Sequence, residues 1–145
     1  MIDDADLPGH LFRLLEEASR GFRDEFGAVV AEEGVALPLR GSRLRVLQLM
    51  PRSGIRQVEL AARARMTKQS LGEILAALED EGLVRRRPDP ADGRAWLVAP
   101  TRRGIALSDE INRLAAVAED RLAARLGRTA YADFRAVLEG IAGIR

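Results

Sequence analysis

Between residues 56 and 100, two short helical patterns are followed directly by two strand patterns. The stretch 56–64, RQVELAARA, predicts a short helix built around Val58, Leu60 and Ala61. Thr67 is a good N-cap for the next helix, and Gly82 is a natural residue to end it. Between them, apolar residues recur with the i, i+3, i+4, i+7 spacing of one helix face, at Leu71, Ile74, Leu75 and Leu78.

The strand patterns LVRRRPD and AWLVA are joined by PADG, whose residue types favour a turn. Pro88 and Pro90 fit an edge strand or a hairpin tip better than a central strand. Two short helices separated by a tight turn form a helix-turn-helix, and a hairpin after them is a wing. We expect Trp96 to pack this wing against the rest of the protein. The segment therefore predicts a winged helix-turn-helix.

Helical periodicity extends to both sides of this segment. It predicts helices at 9–33, preceded by Asp6 and Pro8, and at 40–50, 101–126 and 129–143, with Thr101 as the cap of the third. The helices 9–33, 101–126 and 129–143 carry more apolar positions than a small winged helix can cover, which favours a homodimer over a monomeric bundle. The fold class is mainly α with a small β-hairpin wing. Residues 38–103 form the predicted DNA-binding domain, and residues 1–37 and 104–145 form the predicted helical dimerisation region.

The charge of the chain is unevenly distributed. Residues 40–103 hold 14 Lys and Arg against 7 Asp and Glu, whereas the other residues hold 9 against 15. One basic face on an acidic body is typical of a protein that binds double-stranded DNA. The chain contains no run of eighteen apolar residues, so no membrane span is predicted. The acidic N-terminus lacks the apolar core of a signal peptide. We therefore expect a cytoplasmic protein that does not enter a membrane.

The residue inventory argues against an enzyme. The chain has no cysteine and one histidine, so disulfides, thiol chemistry and cysteine–zinc sites are excluded. A single histidine leaves only carboxylates for a metal site. No phosphate-binding glycine loop or nucleophile-elbow serine is present. We expect no catalytic residue, no metal and no cofactor.

The start of the second helix of a helix-turn-helix contacts base edges in the major groove. The candidates there are Thr67, Lys68, Gln69, Ser70 and Glu73. The wing supplies a second set, Arg85, Arg86, Arg87 and Arg94. Arg86 should face away from its two neighbours, and Arg94, at the hairpin tip, could enter a narrow minor groove. One of Asp89 and Asp92 is expected to pair with an arginine and fix the loop.

The run VELAARARMTKQSLGEILAALEDEGLVRRRPDPADGRAWLVAPTRRG resembles the core of the MarR family of bacterial transcription regulators. The wing motif DxR stands at 92–94, MTKQS resembles a common start of the recognition helix, and Thr101 and Gly104 open the next helix. The resemblance implies a homodimer on a pseudo-palindromic operator, with Arg94 in the minor groove and Asp92 bracing the wing by a salt bridge. Many members repress nearby genes and are released by a small, often phenolic, ligand.

Three positions depart from the family pattern. Arg65 stands where the turn usually has glycine, Pro100 replaces a leucine, and Arg40 replaces a threonine that opens a helix. Arg65 puts the turn geometry in question, because a non-glycine residue in a left-handed turn costs roughly 1 kcal/mol.

An effector site would be lined by His10, Phe12, Arg13 and Arg45, with the arginines suited to an acidic ligand. The alternative is that these four are ordinary surface and core residues. A further alternative for the whole chain is a winged helix that contacts an acidic protein instead of DNA. The sequence does not distinguish repression from activation.

Overall fold

The computed structural model describes residues 9–143. Asp6 and Pro8, the predicted start signal of the first helix, lie outside this range. The elements within it are, in chain order, α1 Leu11–Glu32, α2 Gly41–Leu49, β1 Ile55–Arg56, α3 Gln57–Ala64, α4 Lys68–Asp80, β2 Val84–Asp89, β3 Asp92–Pro100, α5 Arg102–Leu126 and α6 Arg128–Ala142. The predicted order of helices and the hairpin is confirmed. None of these helices is long and apolar enough to cross a membrane.

The chain divides into two compact units. The first contains the described parts of Met1–Ala36 and Arg113–Arg145, and the second is Leu37–Asn112. The division falls inside α5, whereas the sequence predicts a boundary at 103/104. The assignment of one unit to dimerisation and the other to DNA binding stays a prediction.

The second unit has a continuous apolar core. Leu71, Leu75 and Leu78 of α4 are fully buried and Ile74 is partly buried, so the predicted stripe is confirmed. The stripe packs with buried residues of the neighbouring elements, among them Val46, Leu47, Leu60 and Val98. The prediction for Val58 was wrong, because its side chain is 61% exposed. In an eight-residue helix, Leu60, Ala61 and Ala64 already fill the buried face.

The sheet has three antiparallel strands in the order β1-β3-β2, so β3 is central. The strand β1 was not predicted from the sequence. It has two residues, of which Ile55 pairs with Val98 and Arg56 with Leu97. Pro88 lies on the edge strand β2, as its missing N–H requires. The hairpin turn is the dipeptide 90–91, shorter than the predicted loop of four residues, because Asp92 and Gly93 belong to β3.

The turn of the helix-turn-helix contains one residue in the left-handed conformation, and this residue is an arginine instead of the usual glycine. Arg65 has φ 52° and ψ 48°, the only positive φ of a non-glycine residue in 9–143. The Arg65 N–H bonds to the Ala62 carbonyl and the Met66 N–H to the Ala61 carbonyl. This is the paired hydrogen bonding of a Schellman motif, which satisfies the last carbonyls of α3. Two backbone hydrogen bonds thus hold Arg65 in a conformation that glycine adopts more readily.

The start of α5 is tied to the end of α4. The Thr101 hydroxyl accepts from the Gly104 N–H at 3.1 Å and donates to the Gly82 carbonyl at 2.6 Å, which confirms Thr101 as the cap. Gly82, with φ 72°, ends α4 in a second Schellman motif. A Cβ added at Gly104 would overlap the Leu83 carbonyl oxygen. The Thr101 and Gly104 pair therefore serves close backbone packing.

In the first unit, ion pairs connect α5 with α1 and with its C-cap residue Glu33. Arg113 contacts Glu33 at 2.9 Å, Arg121 pairs with Glu32, and Arg125 contacts Glu25 at 2.7 Å. In contrast, α6 has no buried residue. Large apolar side chains in this unit are exposed, namely Leu11, Phe12, Leu14, Leu126, Phe134, Val137 and Ile141.

Candidate nucleic-acid interface

The first turn of α4 presents polar side chains to solvent. The Thr67 hydroxyl accepts from the Ser70 N–H at 3.1 Å and donates to the Ser70 hydroxyl at 3.0 Å, so these two candidates are engaged in capping the helix. Lys68, Gln69 and Glu73 are exposed. Within residues 9–143, neither Lys68 nor Glu73 has an ion-pair partner. Three of the five predicted contacts on α4 are therefore available to a ligand without breaking an internal bond.

The wing arginines fall into two groups. Arg86 lies in the same cross-strand row as Ile55 and Val98, and its guanidinium bonds to Glu79 of α4 at 2.9 Å. Its opposite orientation relative to its neighbours is thereby confirmed. Arg87 is partly buried and donates through Nη2 to the Ser53 carbonyl oxygen.

Arg85 and Arg94 are exposed and, in the part of the chain that the structure describes, have no carboxylate partner. Together with Lys68 they provide positive charge that is not neutralised by a neighbouring side chain. Such cations can bind phosphate oxygens without first breaking an internal ion pair.

The prediction that Arg94 lies at the hairpin tip was wrong, because Arg94 lies on β3. The register passes from Pro88 opposite Trp96 to Asp89 opposite Asp92, so residues 93–95 have no partner on β2. Extra residues of this kind form a bulge, which bends a strand and redirects a side chain. Arg94 therefore lies in the bulge and not in the turn.

Asp89, at the end of β2 next to the hairpin turn, is the one buried charged residue among those described. Its Oδ2 accepts from Arg56 Nε at 2.9 Å and Nη2 at 2.8 Å, and its Oδ1 accepts from the Ala91 N–H at 2.9 Å. The Ala91 N–H and the Arg56 guanidinium both lower the pKa of Asp89. Asp92 lies farther away, with Oδ2 3.8 Å from Arg56 Nη2, and accepts from the Arg94 N–H. The expectation that one aspartate pairs with an arginine is confirmed for Asp89.

Arg56 was not predicted as a functional residue, because no local pattern in the sequence connects residue 56 with residue 89. The prediction that Trp96 packs the wing against the protein was wrong. Trp96 is 60% exposed and lies opposite Pro88 near the bulge. A residue on an edge hairpin beyond the reach of β1 has little core to cover it.

The residues predicted to bind an effector are exposed or half-buried. His10 caps α1 by accepting from the Arg13 N–H at 3.3 Å, and its ring lies 6.2 Å from that of Phe12. Arg13 pairs with Glu17 at 3.2 Å, whereas Arg45 is exposed on α2. His10, Phe12 and Arg13 belong to one unit and Arg45 to the other. Their role in ligand binding stays a prediction. In residues 9–143, no group of three or more metal-ligating side chains is assembled.

Comparison with known proteins gives consistent results. The family model described as MarR family matches residues 37–95. The HTH-type transcriptional repressor Rv2887 of Mycobacterium tuberculosis is 32% identical over 139 residues, covering 96% of this chain and 95% of the relative.

Two solved structures are similar over nearly the whole chain. The transcriptional repressor CouR bound to a 23-mer DNA duplex has a TM-score of 0.72 and 29% identity, covering 98% of this chain and 99% of that one. The complex of Mycobacterium tuberculosis Rv2887 with salicylic acid has a TM-score of 0.65 and 30% identity, covering 94% and 98%.

Proposed function

Because this chain belongs to the MarR family of transcription regulators, we propose that it binds a pseudo-palindromic operator in double-stranded DNA as a homodimer and acts as a repressor. Each protomer would place the start of α4 in the major groove and its wing over the neighbouring minor groove. The family is a class of regulators and not of enzymes, and the proposal assigns no catalytic step to the chain. It also places the protein in the cytoplasm, where its operator is.

The observation that carries this proposal is the division of the basic side chains. Lys68, Arg85 and Arg94 have no carboxylate partner among residues 9–143. Arg86 and Arg87, which lie on the same strand as Arg85, are engaged by Glu79 and the Ser53 carbonyl. Since a phosphate contact requires an available donor, we assign DNA contacts to the first group. Gln69 and Glu73 would contact base edges, because glutamine can bond adenine and glutamate can accept from cytosine.

The first unit supports the homodimer. An open groove of about 870 Å³ runs along α1, α5 and α6 and is lined largely by apolar side chains, among them Phe22, Leu122, Phe134 and Leu138. Val137 and Ile141 of α6 are 61% and 67% exposed. Exposed apolar surface of this kind marks an interaction site. A second copy of the same helices is the partner that the family membership favours.

A small acidic, aromatic effector would complete the regulation. The relative Rv2887 was solved with salicylic acid. Within the unit that contains α1, His10, Phe12 and Arg13 are the residues that we propose to bind such a compound, and Arg45 of the other unit stays a separate candidate. Stacking on Phe12 and charge pairing with arginine suit an aromatic carboxylate. Thermal shift with a panel of aromatic acids tests this part of the proposal. Absence of a shift with every acid would contradict it.

The DNA-binding proposal is tested with the DNA upstream of the protein's own gene and a shuffled duplex of the same length. We expect the upstream DNA to bind on the order of a thousandfold more tightly at physiological salt. Equal weak binding of both duplexes would contradict a specific regulator at this site. Absence of binding at low salt would favour a winged helix that contacts an acidic protein.

A further inference from the structure

The side chains of Arg56 and Asp89 connect the helix-turn-helix to the wing. Arg56 is the last residue before α3 and occupies its N-cap position. Asp89 is the last residue of β2, next to the hairpin turn. Because β3 lies between β1 and β2 in the sheet, the Arg56 side chain must cross β3 to reach Asp89. The contact therefore joins two elements that no backbone hydrogen bond connects.

The backbone alone fixes the outer part of the wing weakly. The pairing of β1 with β3 consists of two residues and ends at Leu97. Beyond this point, residues 93–95 are unpaired with β2, and Arg94 is one of them. An exposed two-stranded ribbon is marginally stable without further contacts. The position of Arg94 relative to α4 must therefore be set largely by side chains.

Asp89 is placed to supply this restraint. One of its oxygens binds the Ala91 N–H inside the turn, and the other receives two donors from Arg56. The aspartate is 8% exposed, so water competes weakly for its two oxygens, while the Arg56 side chain is 46% exposed. Arg87, in the same cross-strand row as Arg56, adds a parallel link to the Ser53 carbonyl oxygen.

We propose that the contact between Arg56 and Asp89 positions the wing relative to the recognition helix, so that Arg94 reaches DNA while α4 occupies its groove. This inference rests on the proposed function, since it assigns a DNA contact to Arg94. Arg56 and Asp89 are positioning residues, because both act through Arg94. Breaking the Arg56–Asp89 pair removes the contribution of Arg94 to DNA affinity while the fold is retained.

A double-mutant cycle on the upstream DNA duplex tests this assignment. In the wild-type background, Arg94→Ala should weaken binding by about 10- to 100-fold, the usual range for one specific arginine contact. In an Asp89→Asn background the same change should cost less than about threefold. In an Arg56→Gln background, Arg94→Ala should cost as little DNA affinity as in the Asp89→Asn background. In an Arg56→Lys background, part of the full cost of Arg94→Ala should return, because lysine keeps the positive charge.

Arg43→Gln is the matched control. It breaks a guanidinium–carboxylate pair of 3.0 Å with Glu81 in the same unit, and neither residue belongs to the hairpin. The full penalty of Arg94→Ala should remain in this background. The same full penalty in the Asp89→Asn and Arg56→Gln backgrounds, with unchanged melting temperatures, would overturn the proposal. If Asp89→Asn fails to fold, Arg56→Gln decides the question, since it leaves the bond to Ala91 in place.

Trp96 gives a readout that does not need DNA. It is the single tryptophan of the chain and lies opposite Pro88, beside the bulge. Time-resolved anisotropy of Trp96 should show faster local motion in Asp89→Asn and Arg56→Gln, but not in Arg43→Gln. Unchanged motion would overturn the positioning role whether or not the protein binds DNA. If the two variants show faster motion but the wild type binds no DNA, the proposed function is refuted. The role of the Arg56–Asp89 pair in placing Arg94 on DNA is then refuted as well.

Discussion

At the scale of single residues, three consecutive arginines have different environments. Arg85 is unpaired among the described residues, Arg86 bonds to Glu79, and Arg87 bonds to the Ser53 carbonyl. The sequence predicted all three as DNA contacts because composition reveals charge but not its partners. Strand alternation did predict the opposite direction of Arg86. The identity of Glu79 and Ser53 as partners depends on tertiary packing, which has no local signal.

Arg65 provides a prediction at the same scale. Its left-handed conformation costs a side chain with a Cβ roughly 1 kcal/mol more than glycine. Arg65→Gly should therefore raise the free energy of unfolding by up to about 1 kcal/mol, reduced by the extra entropy of glycine in the unfolded chain. Urea unfolding followed by circular dichroism measures the change.

Arg65→Ala is the control for this prediction, because it removes the same charge but keeps the Cβ. We expect no gain of stability from Arg65→Ala. If both substitutions stabilise the protein equally, the cause is the removed charge and not the backbone conformation.

At the scale of elements, the periodicity of the sequence was sufficient to predict the helices but not the whole sheet. The helices α1 to α6 begin and end within two residues of their predicted bounds, because each has a repeating apolar face and a clear cap or break. The strand β1 was missed because two residues cannot show a period. The bulge that carries Arg94 was missed because register depends on the partner strand.

The junction of α4 and α5 tolerates little change. A Cβ at Gly104 would overlap the Leu83 carbonyl oxygen. Gly104→Ala should therefore lower the free energy of unfolding by about 1–3 kcal/mol, as overpacking usually does. Thermal and urea unfolding measure it.

Gly72→Ala is the matched control in a neighbouring helix. The nearest atom to an added Cβ there, Gln57 Nε2, is 3.6 Å away, an ordinary van der Waals distance. This change should stabilise α4 by up to about 1 kcal/mol, the difference in helix propensity. An equal loss of stability in both variants would contradict the packing role of Gly104.

The wing should respond to pH through Asp89. Its pKa is lowered in the folded protein by the Ala91 N–H and by Arg56. The stabilisation by this carboxylate is therefore fully present above the ordinary aspartate pKa of about 3.9 and disappears as the pH falls through the lower folded value. Trp96 motion should be constant from about pH 8 to pH 5 and increase only in more acidic solution. A change near neutral pH would contradict this assignment, and Asp89→Asn should abolish the acid response.

At the scale of the whole molecule, the sequence predicted the family from the wing and recognition-helix motifs, and the 32% identity with a repressor over 96% of the chain confirms it. Three of the cations without a carboxylate partner among the described residues lie in one unit. The unit Leu37–Asn112 contains Lys68, Arg85 and Arg94, and the other unit carries exposed apolar side chains.

The homodimer can be tested by exchanging one valine. Val137 on α6 and Val58 on α3 are each 61% exposed, so they form a matched pair. The wild type should sediment with twice the chain mass of 15.9 kDa. Val137→Asp should shift the protein towards the monomer by placing a charge in the apolar surface, whereas Val58→Asp should not. A monomeric wild type, or a dimer equally sensitive to both changes, would contradict the proposed interface.

The central claim is that cations without internal partners bind DNA while their paired neighbours support the fold. The salt dependence of affinity for the upstream duplex tests it most directly, in wild type, in Arg85→Gln and in the charge-neutral double variant Glu79→Gln/Arg86→Gln. The slope of log affinity against log salt concentration should fall by about 0.9 for each phosphate that is no longer neutralised, and so by about 1.8 for a dimer of Arg85→Gln. The double variant should keep the wild-type slope. An unchanged slope in Arg85→Gln, or an equal decrease in both variants, would contradict the account.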